Sequence, residues 1–371
     1  MKLSVIILTY KVPHHLMLCL DSVSKAIENL DAEIIVVDNN SEDVSSDLVK
    51  KNFPEVYIIK NEENFGFSKG NNIGVERSKG EYLCILNPDT VVPEDCFTNL
   101  LEIYPNLKNP GAIGVQLIDG SGQFLEESKR NIPTPKVALK KIMGSCLSYY
   151  NNNLDQQDSG PTDILVGAFM FMKRDQYIEI GGFDEDYFMY GEDIDLSYRI
   201  CKSGYQNYYI GSIKVLHFKG ESTTKDQLYL NRFFNAMFIF YKKHFRNYKN
   251  SFKLVKMSLK LTMALEKMRL NSIKIKNQDF QNVYLISKEE NLKTSIEQIF
   301  KHRILLTDRI DIAVDNSFII LDSDHLSYKE AINTLIALNS KNNAFRIKPR
   351  KHKFIIGSES KYRKGEVIEL S

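Results

Sequence analysis

Cysteine is scarce in this chain and never paired by spacing. Cys19, Cys84, Cys96, Cys146 and Cys201 are scattered, odd in number and contain no C-x-x-C. That pattern excludes a disulfide framework and a cysteine zinc site, and it fits a reducing compartment. Long apolar runs are also missing. Nothing approaches the roughly 20 apolar residues of a membrane-spanning helix. The first apolar run, Val5-Ile6-Ile7-Leu8, stops at Thr9-Tyr10-Lys11, too early for the core of a secretory signal. There is no internal repeat. Acid is almost absent from one stretch: residues 231–270 hold ten Lys/Arg against the single Glu266. Residues 1–230 are acidic, with 22 Lys/Arg against 33 Asp/Glu, and residues 271–371 mildly basic, with 17 against 13. The net charge of +2 conceals this asymmetry. A block of one sign between two mixed regions marks an architectural boundary. The expected division is therefore a domain at 1–230, a basic helical segment at 231–270 and a smaller domain at 271–371.

A chain of 371 residues with 43% apolar content can bury a substantial core in two domains. Its first 115 residues alternate strand and helix signals. Leu3-Ser4-Val5-Ile6-Ile7-Leu8, Ala32-Glu33-Ile34-Ile35-Val36-Val37, Val56-Tyr57-Ile58-Ile59 and Tyr82-Leu83-Cys84-Ile85-Leu86 read as strands, with a helix over 15–30. Strands spaced by helices predict a parallel sheet covered on both faces. In such sheets ligands bind beyond the carboxyl ends of the strands. Thr9-Tyr10, Asp38-Asn39-Asn40-Ser41 and Asn87-Pro88-Asp89-Thr90 are then expected to converge on one crevice. Residues 116–165, rich in Gly, Pro, Asn and Ser, read as a long functional loop. Residues 281–371 repeat a strand and helix alternation, with strands near 283–286, 317–321 and 353–357 and helices near 289–301 and 327–339. No Gly-rich phosphate loop accompanies them, so they read as a small α/β accessory domain.

Residues 231–270 read as one or two amphipathic helices. Phe233, Phe234, Met237, Phe238, Phe240 and Tyr241 precede Lys242, Lys243, Arg246, Lys249, Lys253 and Lys256, and Leu254, Met257, Leu261, Leu265 and Met268 recur at helical spacing. A basic amphipathic helix is a membrane-surface signature; the plainer reading is a packing helix with a solvated lysine face. No nucleic-acid recognition module accompanies the charge.

The densest chemistry lies in Gly191-Glu192-Asp193-Ile194-Asp195-Leu196, which follows Gly181-Gly182-Phe183-Asp184-Glu185 and Tyr187-Phe188-Met189-Tyr190. Three carboxylates within four positions repel one another, and apolar neighbours disfavour their ionised forms. The arrangement suits a general base of tuned proton affinity. It also suits the acidic first turn of a helix. Asp38 suits a ribose or base contact at a strand tip, or an Asx-turn. The Asn64-Phe65-Gly66-Phe67-Ser68-Lys69-Gly70-Asn71-Asn72-Ile73-Gly74 segment suits close backbone approach to a phosphate or sugar. Asp89 can hold a divalent metal that also binds a diphosphate, with His217 as a second ligand or a structural histidine.

Taken in order, residues 4–10, 37–41, 64–74, 86–89, 181–184 and 191–193 resemble the family 2 inverting glycosyltransferases. They are most similar to the bacterial rhamnosyltransferase-like branch that decorates surface polysaccharides. The resemblance covers about residues 1–225. It implies an A-type glycosyltransferase fold, a Rossmann-like mixed sheet flanked by helices. It further implies that Thr9 and Asp38 touch the nucleoside, with Tyr10, Lys11, Asn40 and Gly66 nearby, and that Asn72 lines the donor site. Asp89 becomes the metal-binding acid for Mg2+ or Mn2+, and Asp193 the general base. Glu192 then orients acceptor or base, and Arg130 contacts the diphosphate or acceptor. Two positions depart from the family pattern: Lys11 stands where Asn is frequent, and Asn87 where many relatives carry an acid. The implied partners are a nucleotide-diphospho-sugar such as dTDP-rhamnose, a lipid-linked or free oligosaccharide acceptor, and an anionic membrane surface. The implied place is cytoplasmic, peripheral on the inner face of the plasma membrane. A sugar-nucleotide pyrophosphorylase would need a Gly-rich, Arg-containing loop after the first strand, where Thr9-Tyr10-Lys11-Val12-Pro13 stands. A non-catalytic sugar-nucleotide-binding protein would have little use for both Asp89 and Asp193.

Overall fold

The computed structural model describes residues 1–142, 147–221, 227–245, 263, 280–340, 342–358 and 365–370. Strands β1 (Leu3–Thr9), β2 (Ala32–Asp38), β3 (Tyr57–Lys60) and β4 (Tyr82–Leu86) alternate with helices α1 (Pro13–Ala26), α2 (Ser45–Asn52) and α3 (Gly66–Arg77). Ile6, Ile35, Val37 and Ile85 are buried on one face of the sheet, and Val5, Ile7, Val36 and Cys84 on the other. Runs apolar on both faces belong in a sheet covered on both sides. The four strands pair in parallel in the order β3-β2-β1-β4, with Thr9 opposite Asp38 and Ile7 opposite Leu86. The strand-tip residues therefore share one edge, as the alternation predicted.

The parallel pattern ends there. The next elements are β5 (Thr90–Val91), α4 (Cys96–Ile103), β6 (Pro110–Ile118), α5 (Pro135–Ile142), β7 (Ser159–Thr162), β8 (Phe169–Lys173), α6 (Arg174–Glu179), α7 (Glu192–Lys202) and β9 (Gln206–His217). β8 lies antiparallel beside β4, and β6, β9 and β5 extend the sheet to a mixed α/β architecture. The segment expected to be a long loop at 116–165 is partly sheet. β6 runs to Ile118, β7 pairs with β9, and Arg130 bridges both Tyr150 and Ile164 through its backbone. Lys129 and Arg130 are buried, so this stretch threads the domain instead of flapping over it.

Helix α8 (Gln227–His244) begins before residue 230, so that expected boundary falls inside a helix. Its Ala236, Met237, Phe240 and Tyr241 pack with Ile164, Tyr187 and Ile194 of the N-terminal domain. Burying side chains of this size contributes about 1.5–3 kcal/mol each. Lys243, expected on a membrane-facing basic surface, instead pairs with Asp184 and with Asp186 at 2.7 Å. The other basic and apolar positions expected between 246 and 270 lie outside the described residues.

The C-terminal region contains β10 (Asn282–Ile286), α9 (Glu290–Phe300), β11 (Ile304–Thr307), β12 (Ser317–Asp322), α10 (Tyr328–Ala337), β13 (Ala344–Lys348), β14 (Phe354–Gly357) and β15 (Glu366–Glu369). Its sheet has the order β11-β10-β12-β13-β14-β15, parallel through β13 and antiparallel beyond. A capping box of Ser327 and Glu330 starts α10. Tyr328, Ile332 and Leu335 of that helix join the apolar core formed by α1, α4 and β9. At the same contact Asp21 accepts hydrogen bonds from the Tyr328 hydroxyl and, at 2.9 Å, from the Arg350 backbone N–H. The two sheets are thus joined through a shared core and a polar clasp.

Candidate active site

The first turn of α7 carries all three carboxylates of the acidic motif. Gly191, with φ 78°, turns the chain into the helix and admits α8 beside it; a Cβ there would lie 3.2 Å from Ala236 Cβ. Asp193 is held by three donors. Its Oδ2 accepts from Arg130 Nη2 at 2.7 Å and from the Gly167 N–H at 3.1 Å, and its Oδ1 accepts from the Ile194 N–H at 2.8 Å. Burial disfavours the Arg130 charge, but Asp193 beside it more than offsets this and keeps the guanidinium ionised. Glu192 behaves differently. Burial, then the charge of Asp193, push its carboxyl well above the usual carboxylate range. Its Oε2 is buried without a hydrogen-bond partner. A carboxyl that resists ionisation therefore stands next to a buried ion pair.

Asp195 faces another way. It meets Arg199 Nε at 2.6 Å and His244 Nε2 at 2.6 Å. Burial pushes its carboxyl up, but the hydrogen bond to His244 and the charge of Arg199 hold it below its ordinary value. Arg199 in turn donates to the carbonyls of Ile180 and Gly182, fixing the turn before the motif.

Across the cleft, the antiparallel pairing of β5 with β9 sets Thr90 opposite His217. His217 Nε2 is thereby brought to 3.4 Å from Asp89 Oδ1. Burial pushes the Asp89 carboxyl up, but the charge and hydrogen bond of His217 and the charge of His15 hold it low. His217 Nδ1 is buried with no partner. Among the described residues, no three His, Cys, Asp or Glu side chains form a cage for a metal. Hard cations that share phosphate oxygens need only one or two protein ligands, so an acid and an imidazole at this spacing fit such an ion. Lys219 lies beside them and pairs with Glu127, whose carboxyl burial would push up but Lys219 holds down to about 2.

These groups line one cleft of about 340 Å³, within the range of small-molecule sites. Thr9 and Tyr10 enter it from the tip of β1, Asn39 from the tip of β2, and Asn64 and Gly66 from the start of α3. Gly66 is required where it stands. Its φ is +81°, and a Cβ there would meet the Phe188 carbonyl oxygen at 2.3 Å. That approach lets the Phe67 N–H donate to Phe188 O at 2.6 Å, tying α3 to the aromatic run before the acidic motif.

Residues 4–181 match the model of glycosyl transferase family 2, and residues 151–219 match the N-terminal domain of galactosyltransferase. Residues 4–181 are thus a glycosyltransferase family 2 domain. The chain is similar to the N-acetylglucosaminyl-diphospho-decaprenol L-rhamnosyltransferase of Mycobacterium tuberculosis, at 26% identity over 60% of this chain and 78% of that one. It is also similar to rhamnosyltransferase WbbL of Escherichia coli, at 24% identity over 53% and 79%. Among solved structures, mannosyltransferase PcManGT from Pyrobaculum calidifontis, in complex with GDP-Man and Mn2+, aligns with 74% of this chain and 76% of that one. The TM-score of that alignment is 0.48 and the identity 17%.

Within this glycosyltransferase, Thr9, Tyr10, Gly66, Asp89, Arg130 and His217 line the cleft together with Glu192 and Asp193. Four expected donor contacts do not line it. Asp38 accepts from the Ser41 N–H at 2.9 Å and from Ser46 Oγ at 2.6 Å, so its carboxylate is spent on closing the local turn. Asn72 is a strut, donating to Phe183 O at 2.9 Å and accepting from the Tyr177 hydroxyl at 2.6 Å. Asn40 and Lys11 sit in left-handed turns, with φ 59° and 57°, and Lys11 is exposed. Arg130, expected to meet a diphosphate or acceptor, is instead buried against Asp193. Asn39 was the less obvious residue of its motif. Its amide donates to Asn64 Oδ1 at 2.8 Å and accepts from the Phe65 N–H at 3.0 Å, so it shapes the end of the cleft at the tips of β1 and β2. The α8 residues Tyr229, Phe233 and Met237 also line the cleft, a role that neither the membrane-surface nor the packing-helix expectation assigned to this segment.

Proposed function

We propose that this glycosyltransferase moves a sugar, with inversion, from a nucleotide-diphospho-sugar to a hydroxyl of a lipid-linked glycan in bacterial surface polysaccharide synthesis. One observation carries the reading. A single cleft has the α7 carboxylates on one wall and the Asp89–His217 pair, beside the tips of β1 and β2, on the other. In this mechanism Asp193 takes the proton of the acceptor hydroxyl as that oxygen bonds to the anomeric carbon. The bond from that carbon to the diphosphate oxygen breaks, and the nucleotide diphosphate leaves with the electron pair. Arg130 and the Gly167 N–H fix the aim of the Asp193 carboxylate, and Glu192 orients the acceptor by a hydrogen bond. Asp89 and His217 would hold Mg2+ or Mn2+, which when bound offsets charge on the leaving diphosphate. The buried, unpartnered hydroxyl of Thr9 supports a nucleoside contact at the donor end.

The named activities of the relatives support a prenyl-linked acceptor and dTDP-rhamnose as the first donor to try. The basic composition of 231–270 supports a peripheral place on the cytoplasmic face of the plasma membrane. No described helix is long and apolar enough to cross a membrane. The test is a donor screen on the purified full chain, following nucleotide diphosphate release with and without Mg2+ or Mn2+ and a prenyl-diphospho-N-acetylglucosamine acceptor. Acceptor-dependent release supports the proposal. Pyrophosphate release from sugar phosphate and nucleoside triphosphate would point to a pyrophosphorylase, and donor binding without turnover to a non-catalytic binder.

A further inference from the structure

Helix α8 forms a wall of the cleft that the reaction described above does not use. It lies against the start of α7, where a Cβ on Gly191 would touch Ala236 and Met237. Its far end is clamped by His244 on Asp195 and by Lys243 on Asp184 and Asp186. The near end presents Tyr229 and Phe233, whose rings stack at 17° with centroids 6.1 Å apart. Tyr190, two positions before Glu192, stands edge-on to both, at 5.1 Å from Tyr229 and 6.2 Å from Phe233. All three rings are partly buried and line the same cleft as Glu192 and Asp193.

We infer that Tyr190, Tyr229 and Phe233 form a platform for a pyranose ring of the acceptor. The inference rests on the proposed function, in which the α7 carboxylates face the acceptor hydroxyl. The donor end of the cleft is polar, built from Thr9, Asn39 and Asn64. The α8 corner is aromatic and adjoins the carboxylates, so a group whose hydroxyl reaches Asp193 must lie against it. A pyranose ring has an apolar C–H face and a polar hydroxyl edge. Aromatic faces remove the former from water, while tyrosine hydroxyls and Glu192 meet the latter. Tyr229 and Phe233 are carried by a helix packed against the start of α7 and clamped at its far end, which lowers the ordering cost of binding.

The experiment uses the full chain with nucleoside diphosphate and a panel of methyl pyranosides, including rhamnose, glucose and N-acetylglucosamine. Saturation-transfer NMR reads protein contact to the sugar C–H protons. The wild type is expected to saturate ring protons of at least one pyranoside. Tyr229→Ala and Phe233→Ala should reduce that signal at least fivefold, while Tyr229→Phe and Phe233→Tyr keep it and the exposed-residue control Leu228→Ala leaves it unchanged. Nucleotide signals on the same samples, with thermal melts, separate this outcome from misfolding and from failure of the donor reading. Sugar signals that are absent in the wild type, or indifferent to both alanine variants, would overturn the platform. So would alanine variants that lose farnesyl diphosphate binding while keeping the sugars.

Discussion

Removing Arg130 tests whether the acidic motif works as a held ion pair. Arg130 Nη2 and Asp193 Oδ2 are 2.7 Å apart, and the two side chains are only 8% and 11% exposed. Taking one partner from a buried pair leaves the other charge uncompensated and is destabilising by about 3–5 kcal/mol. Arg130→Ala and Asp193→Ala should therefore each lower unfolding free energy by about that much. The double variant leaves no stranded charge, so it should fall short of the summed losses by about 2–3 kcal/mol. Urea unfolding at neutral pH measures all four corners of the cycle. Arg130→Lys keeps the charge but not the planar fork, and it is expected to retain most of the stability. Its kcat should fall about 10²-fold through misaim of the carboxylate, with donor KM unchanged. Additive single losses, or an Arg130→Ala protein within about 1 kcal/mol of wild type, would refute the pairing argument.

Four further outcomes follow from the geometry. Gly66→Ala adds a Cβ into the Phe188 carbonyl at a φ of +81°, so it should destabilise by about 1–3 kcal/mol; an unchanged urea midpoint would show that the loop yields freely. Glu192 has a folded pKa above its unfolded value, so its contribution to stability is full below about pH 4.3 and is lost as pH rises through the folded pKa. Glu192→Gln should therefore gain on wild type as pH is raised from 4 to 8, and a constant difference in melting temperature would contradict the buried proton. Asp21→Ala strands the buried Tyr328 hydroxyl and the Arg350 N–H, for a loss of about 1–3 kcal/mol and faster proteolysis of the C-terminal sheet; protease resistance equal to wild type would mean the clasp is idle. Asp89→Ala should weaken nucleoside diphosphate binding in calorimetric titrations with Mn2+ and much less without it, and an equal loss in both would remove Asp89 from metal binding.

The strand tips were readable because each buried run breaks off at a polar cluster, and one parallel register then aligns Thr9, Asn39 and Asp89 at the same edge. What could not be read depends on distant partners. Arg130 lies in a Gly-, Pro- and Asn-rich stretch, and nothing local to it signals that residue 193 will meet it. Asp38 and Asn72 carry the residue types of ligand contacts, yet Ser41, Ser46, Tyr177 and Phe183 occupy their polar atoms. Strands β11, β13 and β15 were overlooked because they are short and two carry charge, Arg346 and Lys348 in β13 and Glu366 and Glu369 in β15. In α8 the lysines dominated composition, while the contact is made by aromatic residues earlier in the helix.

The acidic motif shows why charge density alone was ambiguous between a base and a helix cap. An α-helix turns about 100° per residue, so Asp193 points about 100° away from Glu192 and about 200° away from Asp195, while Glu192 and Asp195 stand one turn apart. Glu192 is buried at the cleft with its carboxyl pushed well above the usual range, Asp193 meets Arg130, and Asp195 pairs with Arg199 and His244. The repulsion that makes three acids costly in sequence is relieved by separate cationic partners for Asp193 and Asp195 and by the resistance of Glu192 to ionisation. Asp195 then has a role beyond starting the helix: it joins the first turn of α7 to the end of α8, whose beginning lines the cleft. Asp195→Asn should accordingly loosen α8 and raise acceptor KM before it changes donor KM. A variant with both constants unchanged would disconnect the clamp from the cleft.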